Sequence, residues 1–225
     1  MKNRILTTIM MGAALFSTVN GATVADISVE AGVSYSNLST SGGLAIRDNS
    51  ASASILAESP LSGGTLNLAV DLFRTDDETE ADVAVGWGLP VSVFGATIDT
   101  EVYFQKIDSS FGGWEEVGVA LGYSLDWFDV EAALWHELGT NAGYGVELTV
   151  SREFATPVDG LSASPFVTVN FADSYNALEL GVCAKYVISD ALSVGAKVSL
   201  NDNDAGGSYA LDQEWMAGLG LTYKF

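Results

Sequence analysis

The sequence contains few cysteines and histidines, the residues on which disulfide frameworks and many catalytic sites depend. It has one cysteine, Cys183, one histidine, His136, and only four prolines among 225 residues. A single cysteine excludes an internal disulfide, and scarce proline suits long strands. Beyond the first 25 residues no apolar run reaches the 18 or more residues that a membrane-spanning helix requires. These absences leave a β-structure without disulfides as the expected class, and the sequence predicts no cofactor.

Basic residues are also scarce, because nine lysines and arginines face 29 aspartates and glutamates. Two of the nine lie in the first 25 residues, so the rest of the chain carries 7 − 29 = −22 charges. Such a surface repels nucleic acid and anionic lipid. The mean hydropathy is nevertheless +0.26, because polar and apolar residues interleave instead of forming blocks.

The N-terminus has the order of a secretory signal peptide. Lys2 and Arg4 precede an apolar stretch that begins at Ile5, and small residues follow it. This stretch of roughly thirteen residues is too short for a membrane anchor. We predict a signal peptide over residues 1–25, cleaved after Ala22 or Ala25, and one domain over residues 26–225.

Alternation of apolar and polar residues recurs about every seventeen positions after the signal peptide, which is the period of strands that face lipid on one side and water on the other. The sequence predicts an all-β fold, a transmembrane antiparallel up-and-down β-barrel of twelve strands; ten or fourteen strands remain alternatives. The predicted strands are 27–37, 50–59, 65–75, 80–89, 96–106, 114–125, 128–138, 144–154, 163–171, 177–188, 192–201 and 214–225.

The connections between these strands fall into two alternating sets. Short, turn-like connections are predicted at 60–64, 90–95, 126–127, 157–160 and 189–191, and we assign them to the periplasm. Polar and mostly longer ones are predicted at 39–49, 76–79, 108–113, 139–143, 172–176 and 202–213. Outer-membrane barrels carry their longer loops outside, so the second set is expected at the cell surface.

The apolar parity of the strands, with residues such as Val33, Val102 and Leu134, is predicted to face lipid. Aromatic residues of the same parity gather at strand ends, as interfacial girdles do. A soluble β-sandwich, in which this face would be buried in a shared core, is the alternative. The outer girdle would contain Tyr35, Phe104, Tyr144, Phe171 and Trp215, and the periplasmic girdle Trp87, Tyr123, Phe128, Phe154, Tyr186, Tyr223 and Phe225.

The last strand carries Gly220, Tyr223 and the terminal aromatic Phe225, and strand-turn units such as 186–195 recur along the chain. In these features the chain resembles the bacterial outer-membrane β-barrel, or porin-like, superfamily. The resemblance implies an outer-membrane location after export through the periplasm, and it implies that the barrel-assembly machinery reads the last strand. Gly218 departs from the usual signal, which has a polar residue at that place.

The opposite parity is predicted to line a water-filled lumen. It carries fifteen carboxylates against three lysines, with many glycines and alanines between them. Rings of carboxylates attract cations and repel anions in a narrow space, so we expect a passive channel that prefers cations and small hydrophilic solutes. The candidate pore-lining residues are Asp71, Asp99, Glu101, Glu116, Asp129, Glu131, Glu147, Glu179, Lys185 and Lys197.

Two other functions have to be weighed against a channel. A non-conducting structural or surface-interaction barrel is the first, with the loop 202–213 as a candidate plug. An outer-membrane enzyme is the second, but His136 is followed two positions later by Leu138 and not by the serine that outer-membrane phospholipases carry there. We therefore expect no enzyme.

The acidic loops 76–80 and 202–204 contain hard oxygen ligands, but Gly206 and Gln213 break an EF-hand pattern that would begin at Asp202. No metal site is predicted. Arg74 and Lys106, on the lipid parity near outer strand ends, could contact lipopolysaccharide phosphates. The natural solute and the oligomeric state stay open.

Overall fold

The computed structural model describes residues 27–41, 44–61, 63–74, 79–93, 96–109, 113–139, 143–205 and 211–225. The predicted signal peptide lies outside these ranges. Within them, no helix is both long and apolar enough to cross a bilayer. The strand segments are β1 (Ser28–Ser41), β2 (Leu44–Leu61), β3 (Gly64–Arg74), β4 (Thr79–Val93), β5 (Ala96–Ser109), β6 (Trp114–Ser124), β7 (Asp129–Leu138), β8 (Tyr144–Ser151), β9 (Phe154–Ala155), β10 (Leu161–Ala172), β11 (Tyr175–Val187), β12 (Leu192–Asn203) and β13 (Glu214–Lys224).

Successive strands pair antiparallel, except that β8 and β9 both pair with β10, and β13 pairs with β1 to close the sheet. Past the last paired residues, the backbone N–H of Phe225 donates to the carbonyl of Val29 at 2.9 Å. A closed sheet leaves no unpaired edge, which a barrel in lipid requires. The predicted all-β, antiparallel up-and-down barrel is confirmed.

Segments β8 and β9 are two parts of one barrel strand, because both pair with β10. The strand breaks at Arg152 and Glu153, opposite Pro165, and β10 continues its pairing with β11 there. Proline has no N–H to donate, so Pro165 accounts for a break on this side of β10. The thirteen segments therefore form twelve barrel strands, the number that the sequence predicts.

Several predicted connections are shorter in the structure, because the strands continue into them. The predicted turns at 60–64 and 90–95 begin with Pro60 and Pro90. β2 continues to Leu61 and β4 to Val93, with Pro60 paired with Thr65 and Pro90 with Asp99. Each proline lies beyond the last residue that pairs with the strand on its other side, so its missing N–H costs no ladder bond.

The predicted outer loop at 39–49 is also wrong, because β1 and β2 extend through it with an irregularity between Ser39 and Thr40. β5 likewise continues to Ser109, into the predicted loop at 108–113. These extensions lack the apolar alternation that marks strands in lipid. The pattern used to find strands depends on that alternation, so it does not detect them.

The two ends of the barrel differ. We call the end that holds Ser28 and Phe225 the terminal end and the opposite end the loop end. Turns at the terminal end include 126–127, 157–160 and 189–191, where they were predicted. The β2–β3 and β4–β5 turns lie at the same end. The connections that follow β1, β3, β5, β7, β10 and β12 join strands at the loop end.

The apolar parity forms the outer surface of the barrel. Val33, Val102 and Leu219 each expose more than half of their surface, and most residues of this parity are exposed along the other strands. A shared core, as in a soluble sandwich, is therefore ruled out for the described residues. Of the aromatics predicted at the strand ends, Tyr35, Trp87, Phe128, Tyr144, Phe154, Phe171, Tyr186, Trp215, Tyr223 and Phe225 are exposed, whereas Phe104 and Tyr123 are half-buried.

Candidate channel interior

Five of the predicted pore residues lie in two adjacent rows across the inner face. Strand pairing places Asp99, Glu131 and Glu179 in one row, joined through residues of β6, β8 and β10. Glu101 and Glu147 lie in the next row toward the loop end. We call these five residues the carboxylate band. Glu101, Glu147 and Glu179 are buried, and Asp99 and Glu131 are half-buried.

The Glu101 side chain lies along the barrel wall and crosses a neighbouring strand. A Cβ atom added to Gly86 of β4 would overlap the Glu101 carboxylate, so only glycine leaves space for it there. Beyond Gly86, the side-chain amide of Asn67 on β3 donates to Glu101 Oε1 at 3.0 Å. This charge-assisted bond fixes the carboxylate against the wall.

Two inner aromatic side chains lie over glycines in the same way. Strand pairing gives the row Gly86–Tyr103–Gly118–Trp135–Gly145 across β4 to β8. A Cβ atom on Gly118 would collide with the Tyr103 ring, and one on Gly145 would collide with the Trp135 ring. The large rings therefore lie along the wall, and the alternating glycines make this possible.

A buried ion pair continues the wall on β10 to β12. Lys197 Nζ lies 2.6 Å from Glu179 Oε1 and 4.9 Å from the centroid of the Phe166 ring. The ring itself covers Gly181, where an added Cβ atom would lie 2.8 Å from Phe166 Cζ. Because Glu179 is 1% exposed, its charge depends on Lys197 for compensation.

On the opposite side of the lumen, the inward side chains are small. Across β12, β13, β1 and β2 the inner face carries Gly195, Gly218, Gly220, Ser34, Ser36, Ser50 and Ser52, which we call the glycine–serine wall. Its hydroxyl groups bond in pairs across the strands, Ser34 with Ser52 at 2.7 Å and Ser36 with Ser50 at 3.0 Å. A cavity of about 400 Å³ lies against this wall. The cavity therefore lies where the inward side chains are smallest.

The described ends of the β12–β13 connection, residues 204–205 and 211–213, are bonded to the barrel or packed on it. The Asn203 side-chain oxygen accepts the backbone N–H of Leu211 at 3.1 Å, and Leu211 packs, buried, on the inward Met216. Asp204 accepts bonds from the backbone N–H and the side-chain amide of Asn176, and these bonds hold the pKa of Asp204 below its usual value. Residues 206–210 lie outside the described residues, so the plug stays a prediction.

The remaining predicted pore residues are spread along the interior. Asp71 is buried and directly paired with Asp82, and Glu116 is 0% exposed. Asp129 is half-buried near the terminal end. Lys185 lines the cavity on β11, as Lys197 does on β12. The pore-lining role of these residues stays a prediction.

The residues of the predicted assembly signal lie on both faces of β13. Gly220 is on the inner face, in the glycine–serine wall. Tyr223 and Phe225 are exposed on the outer face with ring centroids 4.8 Å apart. Recognition by an assembly machinery stays a prediction.

Sequence parity did not identify which inner residues touch. Asn67 and Gly86 received no role, although they fix Glu101 in place. Glycines on the inner parity were interpreted as space only. A glycine paired with a large inner residue of the next strand would have indicated these contacts, but such pairs can be recognised only when the strand register is known.

His136 lies on the outer face, exposed, and pairs with Tyr144 and Val117. This position separates it from the inner carboxylates. Within the described residues, no group of three or more histidine, cysteine, aspartate or glutamate side chains has the arrangement of a metal site.

The fold is that of bacterial outer-membrane β-barrel channels. No protein-family model and no curated protein match the sequence. Solved structures do match, with low identity. The KdgM porin aligns at 10% identity over 88% of this chain and 99% of its own, with a TM-score of 0.59.

Two other solved channels are similar to a comparable extent. The COG4313 outer membrane channel from Pseudomonas putida F1 aligns at 11% identity over 92% of this chain and all of its own, with a TM-score of 0.60. The NanC porin aligns at 11% identity over 89% of this chain and all of its own, with a TM-score of 0.56. Identities this low establish the shared fold alone.

Proposed function

We propose that this chain is an outer-membrane channel for passive, cation-preferring diffusion of small solutes. The observation that carries the proposal is the carboxylate band, which crosses from β5 to β11 on the inner face of a closed barrel. No covalent chemistry is required. Ion selectivity arises from rings of like charge in a narrow, poorly screened space.

The sign of the interior charge supports cations over anions. The KdgM porin has also been solved in complex with oligogalacturonate, and each galacturonate unit carries a carboxylate. The alternation of the sequence predicts fifteen carboxylates and three lysines on the inner parity of the present chain. A polyanion would meet repulsion there, so the proposed solutes are cationic or neutral overall.

The barrel fold and the apolar outer face support an outer-membrane location. Short turns in such barrels face the periplasm, so the terminal end is assigned to that side and the signal peptide to export. Phe225 and Tyr223 would then present the last strand to the barrel-assembly machinery. Arg74 and Lys106, both exposed toward the loop end, would lie near the phosphates of lipopolysaccharide.

A non-conducting structural barrel is the second candidate. Leu211 packs on the inward Met216, and Glu116 is fully buried, so part of the interior is filled. Single-channel recording in planar bilayers separates the two functions. We expect discrete conductance steps in KCl; a folded, inserted barrel without steps would favour the structural function.

A second experiment tests the carboxylate band itself. Replacing Glu131 and Glu147 with glutamine removes charge and keeps side-chain size. We expect the ratio of K⁺ to Cl⁻ permeability to fall, because each carboxylate contributes to the potential in the lumen. Glu115→Gln is the matched control, because Glu115 is exposed on the outer face. An unchanged ratio in the double variant would remove the band from the selectivity mechanism.

A further inference from the structure

The cavity beside the glycine–serine wall differs from the rest of the interior in its charges. Its lining includes all three inner lysines, Lys185, Lys197 and Lys224. Two of them are paired, because Lys197 contacts Glu179 at 2.6 Å and Lys224 contacts Glu30 at 3.7 Å. The described residues offer no ion-pair partner to Lys185. The cavity therefore contains an ammonium group that is available to a solute.

The same cavity contains an available carboxylate. Asp190, in the turn between β11 and β12, is a lining residue. Among the described residues it forms no ion pair, either with Lys185 or with another cation. One cavity thus presents two opposite charges that do not neutralise each other directly.

The rest of the lining combines apolar side chains, such as Leu192 and Met216, with groups that can bond to a small molecule. Ser34, Ser193 and Thr222 contribute hydroxyl groups, and Gly195 and Gly220 leave backbone within reach. The volume of about 400 Å³ is near the lower end of the range of small-molecule sites, which is about 300–1,000 Å³. A solute of a few heavy atoms fits these dimensions.

We propose that this cavity binds small zwitterions of the amino-acid type, with the carboxylate at Lys185 and the ammonium group at Asp190. The inference rests on the proposed channel function and names a solute class for it. A simple anion would match Lys185 but would be repelled by the excess of carboxylates in the lumen. A zwitterion has no net charge and satisfies both groups of the cavity.

Liposome swelling tests the proposal with two probes of similar size and no net charge. One is the zwitterion β-alanine, and the other is lactamide, which carries no charged group. The measured quantity is the ratio of their entry rates. We expect the wild-type barrel to admit β-alanine faster, and Lys185→Gln or Asp190→Asn to lower the ratio roughly two- to fivefold, the effect of one solvated ion pair. Lys185→Arg keeps the charge and should keep the ratio.

Two controls match these changes. Lys106→Gln removes an ammonium group from the outer face, and Asp126→Asn removes a carboxylate from another terminal-end turn; neither residue lines the cavity. Both controls should leave the ratio unchanged. If both probes enter but β-alanine is not favoured, or if the cavity variants behave like the controls, the zwitterion site is refuted and the channel stands. If neither probe enters, the channel and the site fail together.

Discussion

The most detailed prediction concerns the Tyr103 ring and the glycine beneath it. In Gly118→Ala, the new Cβ atom would lie 2.6 Å from Tyr103 Cε1 and closer still to Tyr103 Cζ and the hydroxyl oxygen. Carbon atoms in contact are about 3.5 Å apart or more, so the ring must move by about 1 Å. Overpacking of this kind costs about 1–3 kcal/mol, and a ring displaced from the wall also narrows the lumen. We expect lower stability and lower KCl conductance.

Gly122→Ala on the same strand is the matched control. There an added Cβ atom meets only the Asp99 Cβ at 3.8 Å, an ordinary contact, so neither stability nor conductance should fall. Urea unfolding monitored by tryptophan fluorescence gives the first quantity and planar bilayers the second. Removing the ring, in Tyr103→Ala with Gly118→Ala, should relieve the overlap and show as a coupling energy in a double-mutant cycle. Equal behaviour of the two alanine variants would refute the account of the wall.

Lys197→Met should destabilise the barrel by about 3–5 kcal/mol in urea unfolding, because it leaves the buried Glu179 charge uncompensated; a second change, Glu179→Gln, should restore much of the loss, and a single variant as stable as wild type would contradict the pairing. For the β12–β13 connection, the amide resonance of Asn176 should report the titration of Asp204. The Asp204 pKa is lowered below the ordinary 3.8, so the carboxylate bonds stabilise the connection above that value and are lost only as pH falls through the lower, folded-state pKa. A resonance that shifts at or above pH 3.8 would contradict these bonds.

The period and parity of the sequence were sufficient to predict the number of barrel strands and which face of each strand is exposed. Alternation with residues such as Val102 and Leu134 on one side reports lipid contact directly, because each strand in a membrane has one apolar face. The same logic failed at the hairpin around Ser39 and Thr40, where the strands continue without the apolar alternation. It also failed at Pro60 and Pro90, because a proline ends a strand only where its N–H would be needed.

The interior could be predicted as a set of residues but not as an arrangement. Parity places Glu101 inside, yet its contact with Asn67 depends on the register of three strands and on the glycine between them. Lys185 was predicted as one of three inner lysines. Among the described residues, Lys197 differs from Lys185 in having a carboxylate within ion-pair distance. Such distances between side chains cannot be obtained from the spacing of residues in the sequence.

The central claim is that the carboxylate-lined interior passes cations in preference to anions. The reversal potential of the purified wild-type protein in a planar bilayer, under a gradient of KCl, tests this claim most directly. The account predicts a potential with the sign of the potassium equilibrium potential. A potential with the sign of the chloride equilibrium potential would contradict it.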